Sequence, residues 1–186
     1  MKTFGKVLML VLLCTLASCS EKKADPLQDA LGAYILKGQD GDFELYSIAK
    51  IDSTTFGTEF ERRQNVYDLK LREETKLYDD YTWQRKPKNA ARHWEAIQRT
   101  QEIMKGLDSL RAVMEGRMDE IAYYDYVFSG RAVTGDKITG FQDAYVSMTP
   151  DLRVISMTAK QTDLHKAGGR AIPGYLELLG GETAEE

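Results

Sequence analysis

Residues 81–90 read YTWQRKPKNA, and the fold turns on how this stretch is divided. Pro87 has no backbone N–H, and its ring disfavours helix at the residue before it. A helix arriving from the N-terminal side therefore stops near Trp83, and a second starts a few residues later with Asn89 placed as its cap. A break this short makes the two helices antiparallel neighbours.

On the N-terminal side, Phe56, Phe60, Tyr67, Leu71, Tyr78 and Tyr81 recur at threes, fours and sevens, with the charged runs ERRQ and KLREETK between them. This spacing predicts an amphipathic helix of about 28 residues, roughly 40 Å long. Asp52, Ser53 and Thr54 stand ready as its caps. On the C-terminal side Trp94, Ile97, Met104, Leu107, Leu110, Met114, Met118 and Ile121 form one stripe. Gly106 and Gly116 weaken that helix by about 1 kcal/mol each relative to Ala. The expectation is a helical hairpin over residues 55–119. It outruns any small sheet beneath it, which leaves its far end unsupported. Tyr78, Asp79, Asp80, Tyr81 and Trp83 at that end are the candidate partner surface.

Past the hairpin the period changes from 3.6 to 2. Residues 122–133 (AYYDYVFSGRAV), 141–149 (FQDAYVSMT) and 152–158 (LRVISMT) read as strands. TGDKITG (134–140) reads as a loop, and TPDL (149–152) as a tight turn with proline second. The expectation is a three-stranded antiparallel meander with helices over one face, an α+β layer architecture. Before the hairpin, Asp25-Pro26 starts a short helix whose face is Leu27, Ala30, Leu31, Tyr34 and Ile35, ended at Gly38. Residues 43–51 (FELYSIAKI) suggest one more strand. Residues 173–179 suggest a last turn or two of helix. The single domain is expected to span 26–180, followed by the acidic tail 181–186.

The chain begins MKTFGKVLMLVLLCTLASCS. Lys2 and Lys6 precede an apolar run from Val7 to Leu16, and small residues follow, which is the pattern of a secretory signal. As a helix the run spans about 15 Å, half a bilayer core, too short for a permanent span. Leu16-Ala17-Ser18-Cys19 resembles the lipobox of bacterial lipoproteins, and the resemblance is confined to residues 1–19. It implies cleavage after Ser18, acylation of Cys19 with diacylglycerol and further acyl chains, and a membrane anchor. Ser20 behind the cysteine is compatible with an outer membrane, with the periplasmic or surface-exposed side left open. Residues 19–25 then form a tether of at most ~25 Å. Cys14 leaves with the signal, so the mature domain is expected to hold no disulfide and no cysteine-ligated metal.

The 186-residue chain carries a formal charge of −4, and losing the leader removes two lysines more. Its acidic balance offers no general attraction to nucleic acid or anionic lipid. His93 and His165 belong to no H-E-x-x-H or close pair, so no metal or cofactor is expected. Ser129 in FSGRA is not a G-x-S-x-G elbow, and a hydrolase built on Ser129, Asp163 and His165 is the least favoured alternative. Lys166-Ala167-Gly168-Gly169-Arg170 is the candidate ligand site: Gly168 and Gly169 free the backbone amides to converge on a small anion, between the cations Lys166 and Arg170. Tyr123, Tyr124, Tyr126 and Tyr145 form an aromatic concentration that serves either core or platform. No catalytic constellation stands out. The expectation is a membrane-anchored envelope lipoprotein acting as a non-enzymatic binding or scaffold module for an envelope protein or glycan.

Overall fold

The computed structural model describes residues 25–180 and has an α+β architecture, helices packed on an antiparallel meander. The leader, Cys19, nearly all of the tether and the acidic tail lie outside the described residues. Helix α1 (Pro26–Leu36) starts where Asp25 accepts from the Leu27 N–H. It ends on Lys37 and Gly38, both at positive φ.

Strand β1 (Asp42–Thr55) is longer than residues 43–51. Asp52, Ser53 and Thr54 are not helix caps: they pair with Asp125, Tyr124 and Tyr123 of strand β2 (Ile121–Thr134). Cross-strand pairing outweighs their local turn preference. Tyr46 and Ile51 sit where the β1–β2 register shifts, and both are exposed. Such bulges bend an edge strand and protect it from pairing with other chains.

The hairpin consists of α2 (Phe56–Trp83) and α3 (Pro87–Val113). Thr55 caps α2, its hydroxyl accepting from the Thr58 N–H. Asn89 does not cap α3, which begins on Pro87 behind Lys86 without a side-chain cap; proline is preorganised for the first helical position. The hairpin also ends before residue 119. After Met114 the chain makes a 3-10 turn, Glu115–Arg117. The carbonyls of Met118 and Glu120 then accept from the Gly57 and Phe56 N–H groups. Those donors have no partner inside α2, and satisfying them draws Met118 and Ile121 off the α3 stripe.

The sheet has four strands rather than three, in the order β1-β2-β3-β4, all antiparallel, with β3 at Lys137–Met148 and β4 at Val154–Thr158. Residues 134–140 are not a loop: β2 and β3 meet in a two-residue turn at Gly135-Asp136, with Gly135 at φ +56. The turn at Pro150 forms as expected, the Leu152 N–H donating to the Thr149 carbonyl at 2.9 Å.

Both sheet faces are covered, not one. Alternation along β2 sends Tyr126 and Phe128 to one face and Tyr123 and Asp125 to the other. Leu31 of α1 packs with Phe128, Val146 and Met148 on the first. The second carries the base of the hairpin, a 3-10 segment (Gln161–Ala171) and α4 (Tyr175–Leu178). Phe56, Phe60 and Tyr67 meet Ile103, Leu107, Ile172 and Tyr175 there, and the Tyr67 and Tyr175 hydroxyls lie 2.9 Å apart. Tyr67 is the last buried residue of α2. Residues 68–83 carry the helix about 24 Å farther. Over that length α2 and α3 form an arm that stands clear of the body.

Candidate functional site

The apex of the arm is built by the end of α2. The Lys86 N–H donates to the Tyr81 carbonyl and the Arg85 N–H to the Thr82 carbonyl, both near 3 Å, with Arg85 at φ +57. This is a Schellman termination, a place where glycine is the usual residue because a side chain at positive φ is strained. Here the position holds an arginine. Beside it, Tyr78, Thr82, Arg85, Lys86, Pro87, Ala90, Ala91 and Trp94 line an open groove of about 580 Å³. The small residues on α3 leave the space, and the Tyr78 and Trp94 rings, 5.5 Å apart and tilted, form a wall.

The remaining apex residues are divided between faces. Tyr81 stacks on His93 at 5.2 Å, and His93 Nδ1 lies 2.7 Å from a Glu74 oxygen. Lys86 Nζ stands 5.8 Å over the Tyr81 ring. Trp83 projects into solvent at 86% exposure. Asp79 and Asp80 line a separate shallow depression with Arg72 and Lys76. The sequence-predicted surface is therefore gathered at one end of the arm, with Tyr78 in the groove, Tyr81 outside it and the two aspartates on another side. Trp94, Arg85 and Lys86 were missed. Trp94 shares the α3 stripe, but the body ends before it and leaves it 47% exposed.

A second polar centre lies at the base. Glu59 is fully buried and Arg63 is buried with it, against the expectation that the charged run ERRQ (61–64) faces solvent. One carboxylate oxygen accepts from Arg62 Nη1 at 2.7 Å and from the Tyr123 hydroxyl at 2.8 Å. The other lies 2.8 Å from Arg63 Nε, close enough for an ion pair but not aligned as a hydrogen bond. Arg63 also donates to the carbonyls of His165 and Lys166, pinning α2 to the 3-10 segment. His165 Nδ1 is 3.4 Å from the Tyr123 hydroxyl and 3.8 Å from an Asp125 oxygen, and Asp125 accepts from Ser147. Burial raises the Glu59 carboxyl above its ordinary range, and Arg63, Tyr123 and Arg62 offset part of this. Burial also raises Asp125, against a lowering by Ser147 and His165. The Tyr123 hydroxyl is held well above its usual range by burial and by Glu59. The signal for this centre was in the sequence: Glu59 and Arg63 fall on the same helical face as Phe56, Phe60 and Tyr67.

The candidate anion loop is turned inward. A Cβ at Gly168 would stand 2.7–2.8 Å from the Glu59 carboxylate, and one at Gly169 2.5 Å from the Tyr175 ring. Both glycines are buried. The two glycines accommodate groups of the protein itself, one of them a carboxylate, and this corrects the picture of an open nest. Lys166 pairs with Asp163 at 3.2 Å, and Arg170 reaches the Ile155 carbonyl at 3.4 Å. The residues of the hydrolase alternative are not brought together. Ser129 accepts from the Asp143 N–H, Asp163 faces Lys166, and His165 faces Asp125 and Tyr123. Of the tyrosines, Tyr123 is core, whereas Tyr124 and Tyr126 pack edge to face with Lys50 over Tyr124. Among the described residues no group of three His, Cys, Asp or Glu is placed to hold a metal ion, and no helix is long and apolar enough to cross a membrane.

Comparison with family models, with curated proteins and with solved structures finds no match for this chain.

Proposed function

We propose that this chain is an envelope lipoprotein, acylated at Cys19 and held at a membrane, whose domain is a non-enzymatic binding or scaffold module for another component of the envelope. The observation that carries the reading is the apex of the arm. Trp94, Tyr78 and two adjacent cations line a groove at the far end of the arm, and Trp83 stands in solvent at the tip. A fold gains nothing in stability from leaving Trp83 in water. Exposed aromatic and arginine side chains are the residues that dominate binding interfaces. The groove also lies within the ~300–1,000 Å³ range of ligand sites.

Crosslinking in intact cells, followed by capture of wild-type chain and of a Cys19→Ala variant, tests this. Expected is an envelope component held by the wild type and lost when the apex is altered by Trp83→Ala with Arg85→Glu. Metabolic labelling with a fatty-acid analogue should mark the wild type and not Cys19→Ala. Equal labelling of the two removes the anchor, and capture that ignores the apex variant removes the module.

A further inference from the structure

We infer that the component met by the apex is a lipid bilayer surface with anionic headgroups, an inference that rests on the apex being the contact element. The net charge of the chain is negative, but the average conceals one end. Residues 81–94 contain Arg85, Lys86, Lys88 and Arg92 and not one acid. All four cations are exposed. Arg85, Lys88 and Arg92 form no ion pair among the described residues, whereas Glu44, Glu59, Glu120 and Asp163 elsewhere each have a basic partner. Of the acids around it, Glu95 follows the stretch directly, Glu74 is engaged by His93, and Asp79 and Asp80 stand about a helical turn back from the apex and on another side.

Charge alone would suit any polyanion; the aromatics narrow the choice. Both tryptophans of the chain are at this end, Trp83 at the tip and Trp94 at the groove. Tryptophan is amphipathic and settles at the level of lipid headgroups, where its ring is dry and its N–H wet. Lysine and arginine beside it keep their charges among headgroup phosphates while their stems lie on apolar surface. Arg85 presents a fork that fits a phosphate, with Thr82 and Lys86 on the same groove wall. A helix-in-groove peptide would need a long apolar trough. This groove is short, with cations along its lining.

Each cation brought to an anionic bilayer strengthens binding by about fivefold, and the effect fades beyond a Debye length of about 8 Å at physiological salt. The apex alone is therefore a weak contact, and acyl chain plus basic patch is the two-signal arrangement that makes membrane attachment firm.

The test uses the full acylated chain reconstituted in phosphatidylcholine vesicles, with or without a third of phosphatidylglycerol. Tryptophan emission reports the apex alone, because Trp83 and Trp94 are the only tryptophans. Expected are a blue shift and quenching by brominated lipid in the anionic vesicles, absent in the neutral ones and abolished by molar salt. Arg85→Glu with Lys86→Glu and Lys88→Glu should weaken the effect at least a hundredfold, with circular dichroism unchanged. Trp83→Ala, which needs no charge change, should remove most of the quenching. Emission identical in the two vesicles overturns the inference, as does an equal shift with inorganic phosphate. A shift with a soluble acidic glycan or a captured protein, and none with lipid, overturns the lipid assignment and leaves the apex a binding site. No shift with any of these removes both readings.

Discussion

The Glu59–Arg63 pair gives the sharpest test of how the arm is held. The Glu59 side chain is fully buried and that of Arg63 is 8% exposed, so neither charge is stabilised by water. Replacing Glu59 by leucine leaves the Arg63 guanidinium inside without its counter-charge. Breaking a buried pair from one side costs about 3–5 kcal/mol. Arg62 adds little to that, because at 29% side-chain exposure it can turn outward. Against a total stability of about 5–15 kcal/mol, the single variant loses a fifth or more. Arg63→Leu leaves Glu59 with Arg62 and Tyr123 and forfeits the bonds to the His165 and Lys166 carbonyls. It should cost a similar amount. The double variant exchanges a desolvated ion pair for apolar volume. It should lose only the two carbonyl bonds, about 1–3 kcal/mol. The coupling between the sites is then at least about 3 kcal/mol. Urea unfolding followed by far-UV circular dichroism at neutral pH measures all four corners. A double variant as unstable as the sum of the singles would refute the pairing.

Burial raises the folded-state affinity of Asp125 for protons, so in this respect the native chain binds more protons than the unfolded one as pH falls. That contribution is lost as pH rises through the folded value and complete below the unfolded one near 3.8. The urea midpoint should therefore gain from this group as pH falls towards the unfolded value, and Asp125→Asn should remove that gain; a slope unchanged in that variant sinks the assignment. Asp151, whose carboxyl is lowered chiefly by its bond to Thr149, acts only below that window. Gly168→Ala places a methyl group against a carboxylate fixed on three sides and should cost about 1–3 kcal/mol in the same assay, whereas an open loop would show no loss. Arg85→Gly relieves the positive φ and should stabilise the chain by about 1 kcal/mol while weakening apex binding in the vesicle assay, so a destabilised variant would contradict the strain argument.

The hairpin was legible because its period runs unbroken through Phe56, Phe60 and Tyr67 and resumes at Ile97, Leu107 and Met114. The end of the strand beside it was not. Ile51 to Thr54 carries the residues of a helix cap, and only pairing with Tyr123, Tyr124 and Asp125 makes it β1. The β2–β3 turn was hidden because Lys137, Ile138 and Thr139 are exposed and show no buried face. The apex was half legible. Trp83 and Tyr78 could be placed beside the break at Pro87, but Trp94 occupies the same helical stripe as Ile97. A stripe position is core at the base and open at the tip, and periodicity carries no information about where the body stops. Glu59 and Arg63 were lost to the rule that charge faces water, although their spacing set them on the buried side.

The two polar centres of the molecule stand in a mechanical relation. From Tyr67 to Trp83 the arm is about 24 Å long, so a tilt of about 5° at its root moves the apex by about 2 Å. Apolar packing alone tolerates such tilts, because it has no preferred direction. The bonds around Glu59 do have one. Arg63 ties α2 to the 3-10 segment and Tyr123 ties it to β2, two separate elements. Farther out, the Tyr78–Trp94 contact and the Tyr81–His93–Glu74 stack hold α2 and α3 together where no other element supports them. A buried ion pair contributes little net stability, so its presence at the root is better explained by direction than by energy. On this argument the leucine pair at Glu59 and Arg63 recovers most of the stability and not the aim. Its tryptophan emission should depolarise faster than that of the native chain while its urea midpoint stays close.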